Sequence, residues 1–456
     1  MSTIKRLLYI TLGSASLLWN TGCRSYVEVT PQGKRALVNT TDYQLLLQSE
    51  NDMAPSFSFP VYAADDYGVS YDPFENSMLT AQANAYIWAE TIVADADDPD
   101  WTRFYKQIYT CNTIIEGVRS SQGGTTQQKE VVRSQALVHR AYAYLMLVNG
   151  YARHYEKATA ATAPGVPLLL KPDLFAPLNR ASVQAVYDQI MADLKEAAPV
   201  LPTQAVVTLL PSSTAAYALM ARASLYMGDY ANAAAYADSA LSRQSALLDL
   251  KVYAGSPSTM PTVYKDPEIM LVKNVGASTT YALNPDLVKL FEPGDLRYDL
   301  YTADGSSFQW SSFPGRGYWR TRLTLASGAY TGPGVGEMML ILAECDARTG
   351  KTAEAVTLLN KLREKRFTAA DYVALDTNDA EEALRLVLTE RRRELMASGL
   401  RWFDQKRLNL DPKYTVTVSR TYRGQTYTLA PNSNRYVFPI PAKNIQFNPE
   451  LVQNPR

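Results

Sequence analysis

Residues 214–242 read TAAYALMARASLYMGDYANAAAYADSALS, and this stretch decides the fold. Small residues recur through both halves, and Gly228-Asp229 interrupts the pattern between them. Small residues on both sides of a glycine turn predict two antiparallel helices that approach closely. Residues 336–366, GEMMLILAECDARTGKTAEAVTLLNKLREKR, repeat this arrangement around Gly350-Lys351. The chain is therefore expected to carry at least two helix hairpins.

Other segments extend the helical prediction. Apolar residues at i, i+3, i+4 and i+7 spacing predict helices over 101–119, 128–150 and 182–198. Asp98 is expected to cap the first of these and Ser182 the third, because both residue types accept hydrogen bonds from free helix N–H groups. The predicted fold class is mostly α: a tetratricopeptide-like helix-hairpin scaffold. Generic helix hairpins of an α-fold are the alternative that spacing alone leaves open.

Two long segments, residues 30–80 and 244–335, lack this periodicity and are rich in Pro, Gly, Ser, Asp and Tyr. Irregular segments of this length in a compact protein usually carry function. Alternating residues in 411–440, with Arg423-Gly424-Gln425 between two runs, predict a small β-hairpin. The scaffold is thus expected to carry long irregular loops and one hairpin.

The first 22 residues have the pattern of a secretory signal. Lys5 and Arg6 precede a mostly apolar run, which is too short to span a bilayer and ends at Thr21-Gly22-Cys23. Small residues directly before a cysteine resemble a lipobox, although Asn20 departs from the usual leucine there. We expect residues 1–22 to be a lipoprotein signal peptide, Cys23 to be lipidated, and residues 23–456 to form the mature domain. An ordinary secretory signal is the alternative.

Composition argues against several functional classes. The 45 basic and 45 acidic residues give zero formal net charge, so nucleic acid and anionic lipid surfaces are not expected partners. The membrane is expected to be reached through the lipid anchor only. With two histidines and no nucleotide, nucleophile-elbow or zinc-protease motif, we predict no enzyme activity and no cofactor. The 30 tyrosines and 6 tryptophans, beside 12 phenylalanines, favour ligand platforms as well as cores.

Acidic clusters leave a metal site and a hydrolase open as alternatives. Asp95, Asp97 and Asp98 are a weak calcium candidate, since calcium prefers oxygen ligands, but the loop lacks the EF-hand glycine. Helix capping and a solvated loop explain the same residues. Asp65-Asp66 is a pair of carboxylates that a surface hydrolase could use as acid and base.

A series of motifs in chain order resembles the SusD/RagB family of outer-membrane lipoproteins. They include GVPL (165–168), ARASLYMGDY (221–230), ERRRE (390–394), GLRWFDQKR (399–407), FPIP (438–441) and the ending NPELVQNP (448–455). The family usually ends near QNPGY, and Arg456 departs from that ending. Spacing within 390–407 indicates structural ion pairs rather than a catalytic cluster: Glu390 and Arg393 share a helix face.

The resemblance implies a cell-surface lipoprotein of Bacteroidota, anchored in the outer membrane and facing the exterior. Such a protein captures oligosaccharide or polysaccharide and delivers it to a SusC-like TonB-dependent transporter barrel. Alternatives are peptide cargo, as in the RagB branch, or a tetratricopeptide-type scaffold that binds only proteins. Family ligands are held by loops near 60–100 and 244–335. Candidate contacts there are Asp66, Tyr67, Tyr71, Tyr86, Trp88, Trp310, Arg316, Tyr318 and Trp319, with Trp88 and Trp310 as hypothetical platforms.

Overall fold

A computed structural model describes residues 37–456 apart from Val69, Asp95, 277–280, Trp310 and 321–327. The expected signal peptide and Cys23 lie outside this part. The first eight described α-helices are α1 (Thr40–Leu47), α2 (Glu50–Met53), α3 (Phe59–Ala63), α4 (Asp72–Ser77), α5 (Thr80–Tyr86), α6 (Pro99–Gly117), α7 (Thr126–Tyr151) and α8 (Val183–Ala197). The next nine are α9 (Ser213–Tyr226), α10 (Tyr230–Leu241), α11 (Pro285–Val288), α12 (Leu296–Tyr301), α13 (Val335–Arg348), α14 (Thr352–Glu364), α15 (Ala380–Glu394), α16 (Leu400–Leu408) and α17 (Ala442–Phe447).

The long helices pack on their neighbours in chain order, as a tetratricopeptide-like scaffold does. Helix α7 packs between α6 and α8, α9 packs on α10, and α13 packs on α10, α14 and α15. Both hairpins predicted from the small-residue pattern are confirmed. Gly228 and Gly350 turn the chain between their helices with φ of +70° and +81°, which favours glycine. In the described part of the chain, no helix has both the length and the apolar character of a membrane span.

Side chains at the helix starts explain where these helices begin. One carboxylate oxygen of Asp98 accepts from the backbone N–H groups of Asp100 and Trp101, at 2.9 and 3.0 Å. The Ser182 hydroxyl accepts from the N–H of Ala185 at 3.1 Å. Each of these bonds satisfies a helix N–H that has no partner within the helix. The two caps expected from the sequence are confirmed.

The described part of the chain also contains seven short strands. They are β1 (Pro164–Pro167), β2 (Arg180–Ser182), β3 (Tyr281–Ala282), β4 (Thr302–Asp304), β5 (Arg316–Tyr318), β6 (Val418–Tyr422) and β7 (Gln425–Leu429). All pairings are antiparallel: β1 with β2, β5 between β3 and β4, and β6 with β7. The β6–β7 hairpin confirms the one predicted in 411–440. Its turn places Arg423 and Gly424 at φ of +50° and +74°.

Buried ion pairs connect the helices; the sequence predicted such pairs for residues 390–407, and the structure has others beyond that segment. Arg222 of α9 bonds both carboxylate oxygens of Glu337 on α13, and Arg407 of α16 does the same with Glu344 on α13. Arg140 of α7 likewise holds Asp193 of α8. A buried charge is tolerated only when it is paired and hydrogen-bonded, so these contacts specify how neighbouring helices dock.

The two described cysteines are buried in the helical scaffold. Cys111 and Cys345 are free thiols with 0% and 1% exposure. Burial raises the pKa of each thiol to about 12. They pack as small hydrophobic residues.

Candidate functional site

The two loop regions singled out in the sequence meet in space. Tyr67 forms an antiparallel bridge with Leu283, and the N–H of Asn284 donates to the carbonyl oxygen of Asp66 at 2.9 Å. The rings of Phe74 and Phe313 lie 4.9 Å apart. The described parts of residues 60–100 and 281–320 therefore lie together. The β6–β7 hairpin joins them, because the Tyr422 hydroxyl donates to the carbonyl oxygen of Glu75 at 3.3 Å. We call the face that these described residues form the loop surface.

Arginines from the C-terminal helices hold the start of this surface. Arg401 donates to both carboxylate oxygens of Asp65, at 2.7 and 2.9 Å, and Arg392 donates to Asp66 at 2.5 Å. Burial opposes ionisation of Asp65, but the guanidinium groups of Arg401 and Arg392 outweigh it and lower its pKa to about 2. Burial is the larger effect at Asp66 and raises its pKa. Both carboxylates, including the candidate contact Asp66, thus serve as structural anchors.

Arg420 of β6 reaches beneath the same surface. Its guanidinium donates to the carbonyl oxygens of residues 62–64 and of Tyr86. It also lies 4.3 Å from the ring centre of Tyr86 and 4.2 Å from that of Trp88, within cation–π range. Burial lowers the pKa of Arg420 to about 10. The two rings are consequently covered by protein.

The structure buries four of the aromatic candidate contacts, including the hypothetical platform Trp88. Tyr67, Tyr86, Trp88 and Tyr318 are only 4–6% exposed and belong to the hydrophobic core. The Trp88 indole N–H is also used, because it donates to the carbonyl oxygen of Ala63 at 2.9 Å. These rings pack over the helices as part of the core. A further aromatic candidate, Trp310, lies outside the described residues.

Three candidates remain at accessible positions. Tyr71, just before α4, is 39% exposed, and Arg316 and Trp319 are partly exposed. Arg316 lies 4.0 Å from the centre of the Tyr298 ring and donates to the Tyr298 carbonyl oxygen at 2.8 Å. The sequence did not single out Tyr298; the available signal was its place in the aromatic text LRYDLY (296–301) of the same loop region.

Two residues of the acidic cluster before α6, Asp97 and Asp98, are described, and both contact other side chains of the protein. Besides capping α6, Asp98 accepts from the Tyr151 hydroxyl with both carboxylate oxygens, at 2.9 Å each. Asp97 pairs with Lys443 at 2.9 Å, while Asp95 lies outside the described residues. Among the residues that the structure describes, no three His, Cys, Asp or Glu side chains cluster as metal ligands would. Capping therefore replaces calcium as our interpretation of Asp98.

A separate open cleft of about 440 Å³ runs along α6, which we call the α6 cleft. Helix α6, the segment after β1 and helix α17 form its walls. Its main lining residues are Trp101, Thr102, Tyr105, Lys106, Tyr109, Asn112, Leu169, Lys171, Leu174, Leu178, Asn444 and Asn448. Small-ligand sites typically have roughly 300–1,000 Å³, mostly apolar walls and a few polar groups, and this cleft fits that description.

Two family models of known proteins match this chain. A SusD-like family model described as "Starch-binding associating with outer membrane" matches residues 27–225, and the SusD family model matches residues 335–456. A SusD-like protein of Formosa agariphila is 34% identical over 125 residues, which are 26% of this chain. The chain aligns with about a fifth (22%) of that relative's length.

Solved structures share the fold at low identity. A putative sugar binding protein from Bacteroides vulgatus superposes with a TM-score of 0.72 at 21% identity, covering 92% of this chain and 99% of its own. A surface glycan-binding protein from Bacteroides uniformis gives 0.69 at 18% identity, with 91% and 98% covered. The two family models together match more than half of the residues, and this shared architecture extends over nearly the whole chain. The chain therefore belongs to the SusD/RagB family.

Proposed function

We propose that this protein captures oligosaccharides at the outer surface of the outer membrane and passes them to a SusC-like TonB-dependent barrel. The observation that carries the proposal is the match of residues 27–225 to a family described as starch-binding and associated with the outer membrane. Structural relatives described as sugar- and glycan-binding support the same cargo. The expected lipid anchor at Cys23 supplies the membrane attachment.

On the loop surface, the proposed sugar contacts are Tyr71, Arg316 and Trp319. Trp310, which lies outside the described residues, stays a candidate on the sequence alone. Sugars present flat C–H faces edged by hydroxyl groups, which suit aromatic rings beside charged and amide groups. Arg316 is fixed over Tyr298 and by a 2.8 Å bond to the Thr302 hydroxyl, so its position is set before ligand arrives. Preformed contacts of this kind lower the entropy cost of binding.

Binding without chemistry is part of the proposal. A hydrolase would need one carboxyl group to protonate the leaving oxygen and another to act on the opposite face. Asp65 and Asp66 are both buried and are both held by the guanidinium groups of Arg401 and Arg392, so these carboxylates are committed to protein partners. His139 is fully buried, at 0% exposure, so its imidazole does not reach a bound substrate.

The test uses residues 24–456 as a soluble protein against a panel of polysaccharides, oligosaccharides and peptides, first by retardation electrophoresis and then by calorimetry. Saturable binding to one glycan class, without shorter products, supports the proposal. Replacing Tyr71 and Trp319 together by Ala is expected to weaken that binding, whereas Tyr236→Ala on α10 serves as an aromatic control. Binding to peptides alone, release of cleaved products, or no binding across the panel would each overturn it.

Delivery and location need their own experiments. The full-length protein is expected to co-purify with a large β-barrel from detergent-solubilised outer membranes and to be accessible to protease on intact cells. Cys23→Ala is expected to release the protein from the membrane fraction. Retention of that variant in the membrane, or protection from external protease, would contradict the lipid anchor or the outward orientation.

A further inference from the structure

The floor of the α6 cleft is a ladder of aromatic rings. Trp101, Tyr105 and Tyr109 are four residues apart along α6, so their side chains lie on the same face of the helix. The rings of Trp101 and Tyr105 are 4.8 Å apart. Exposure rises along the ladder from 4% at Trp101 to 40% at Tyr109. The ladder therefore runs from the core to an accessible ring at the mouth.

The wall opposite this ladder is held in place by buried hydrogen bonds. The Tyr105 hydroxyl donates to the carbonyl oxygen of Pro167 at 2.9 Å, and the Asn112 amide donates to that of Leu169 at 2.9 Å. The amide oxygen of Asn112 in turn accepts from Arg140 at 2.9 Å. These bonds hold the segment after β1 against α6 and so set the shape of the cleft.

Polar groups with unused hydrogen-bonding capacity surround the exposed ring. The side chains of Thr102, Tyr109, Lys171 and Asn444 all line the cleft. None of these side chains has a hydrogen-bond partner among the residues that the structure describes. Donors and acceptors beside a ring face match a ligand that has hydroxyl groups around a flat apolar ring. A purely apolar ligand would leave them unpaired, at a cost in free energy.

We propose that the α6 cleft is a second carbohydrate subsite, in which one sugar ring stacks on Tyr109 and its hydroxyl groups contact Asn444, Thr102 and Lys171. This inference rests on the proposed function, because it takes the cargo to be a glycan. It adds a contact on the helical scaffold, lined by residues other than the proposed contacts of the loop surface.

A second open cleft, of about 400 Å³, lacks the feature that supports this proposal. It lies at the end of α7, and its aromatic residue, Tyr436, is 4% exposed and lies 4.8 Å from the ring of Trp402. Lys406 in its wall already donates to the carbonyl oxygens of Asn149 and Ala152. With no exposed ring face among its lining residues, ring stacking favours the α6 cleft.

The test measures Kd by calorimetry for the glycan that binds wild-type residues 24–456. Tyr109→Ala is expected to weaken binding about tenfold, since the variant loses a stacking contact together with its buried area. Tyr109→Phe keeps the ring and is expected to change Kd by no more than about threefold. Asn444→Ala is expected to weaken binding about threefold through a lost hydrogen bond. Tyr236→Ala is the control and should bind as wild type.

Each outcome separates this inference from the proposed function. Unchanged affinity in Tyr109→Ala and Asn444→Ala, with wild-type binding intact, overturns the second subsite and leaves glycan capture standing. Intact glycan affinity with loss of barrel co-purification would also overturn it, because the cleft would then be a protein-docking site. No glycan binding by the wild type would overturn both. Tyr109 is exposed, so its variants are expected to melt within about 1 °C of wild type.

Discussion

Arg140 offers a direct measure of what a buried ion pair contributes to this scaffold. Its guanidinium donates to both carboxylate oxygens of Asp193 at 2.8 and 2.7 Å, and the two side chains are 6% and 2% exposed. Arg140→Ala would leave Asp193 buried without its counter-charge. Removing one partner of a buried pair typically costs about 3–5 kcal/mol. We therefore expect a loss of about 4 kcal/mol in the free energy of unfolding.

The chain supplies a control with the same chemistry at the surface. Arg385 donates to both oxygens of Glu382 at 2.8 and 2.5 Å, but the side chains are 61% and 39% exposed. Arg385→Ala should cost about 0.3–0.5 kcal/mol, the usual value for an exposed helix pair. Burial is the main difference between the two predictions.

Scanning calorimetry of residues 24–456 is the assay. With an unfolding entropy of about 2.1 cal/mol/K per residue, a chain of this length loses about 4 °C of Tm for 4 kcal/mol. Arg385→Ala should lower Tm by less than about 1 °C. Replacing both buried partners, Arg140→Met with Asp193→Leu, should recover most of the loss. Equal Tm shifts in Arg140→Ala and Arg385→Ala would refute the reasoning that burial sets the value of the pair.

Three further predictions concern stability. Gly399→Ala should lower the free energy of unfolding in urea by about 2–4 kcal/mol, because φ is +76° and an added Cβ would lie 2.5 Å from Phe57. In the control variant Gly350→Ala the added Cβ meets no atom within 4 Å, so the loss should be only about 1 kcal/mol. Equal losses in the two variants would contradict the steric argument. Burial, and then the Asp100 charge, raise the pKa of Asp98, so the folded protein holds a proton that the unfolded chain releases above pH ~4. The free energy of unfolding therefore falls as pH rises from about 4 towards the raised pKa of Asp98. Asp98→Asn removes this titration and should flatten the curve of Tm against pH. An unchanged slope in the variant would show that Asp98 is not the group responsible. Trp88→Ala should cost about 3–5 kcal/mol in urea unfolding, and a variant as stable as wild type would show that this ring is not part of the core.

The scaffold could be predicted from the sequence because its signals are local. Helix α6 was expected over 101–119 and runs over Pro99–Gly117, and helix α8 was expected over 182–198 and runs over Val183–Ala197. Helical periodicity, a capping residue and a glycine turn all lie within one element. Each of these signals therefore indicates the element without information from distant parts of the chain.

The accessibility of the loop aromatics could not be predicted in this way. Tyr86 and Trp88 are covered by Arg420, which follows them by more than 300 residues. No local pattern indicates that contact. The same limit applies to the α6 cleft: Trp101 and Tyr105 read as a core face, and Tyr109 continues their spacing. The exposure of Tyr109 depends on the positions of two distant elements, the segment that follows β1 and helix α17.

The anchoring of the loop surface has a consequence for the order in which the molecule can be completed. Residues 62–66 take their hydrogen bonds from Arg392, Arg401 and Arg420. A chain made from its N-terminus has the first loop region long before it has those arginines. The helical hairpins can form as they emerge, but the first loop region gains its anchors only when synthesis has passed residue 420. The loop surface therefore cannot be anchored before residues 392–420 are present and folded against it.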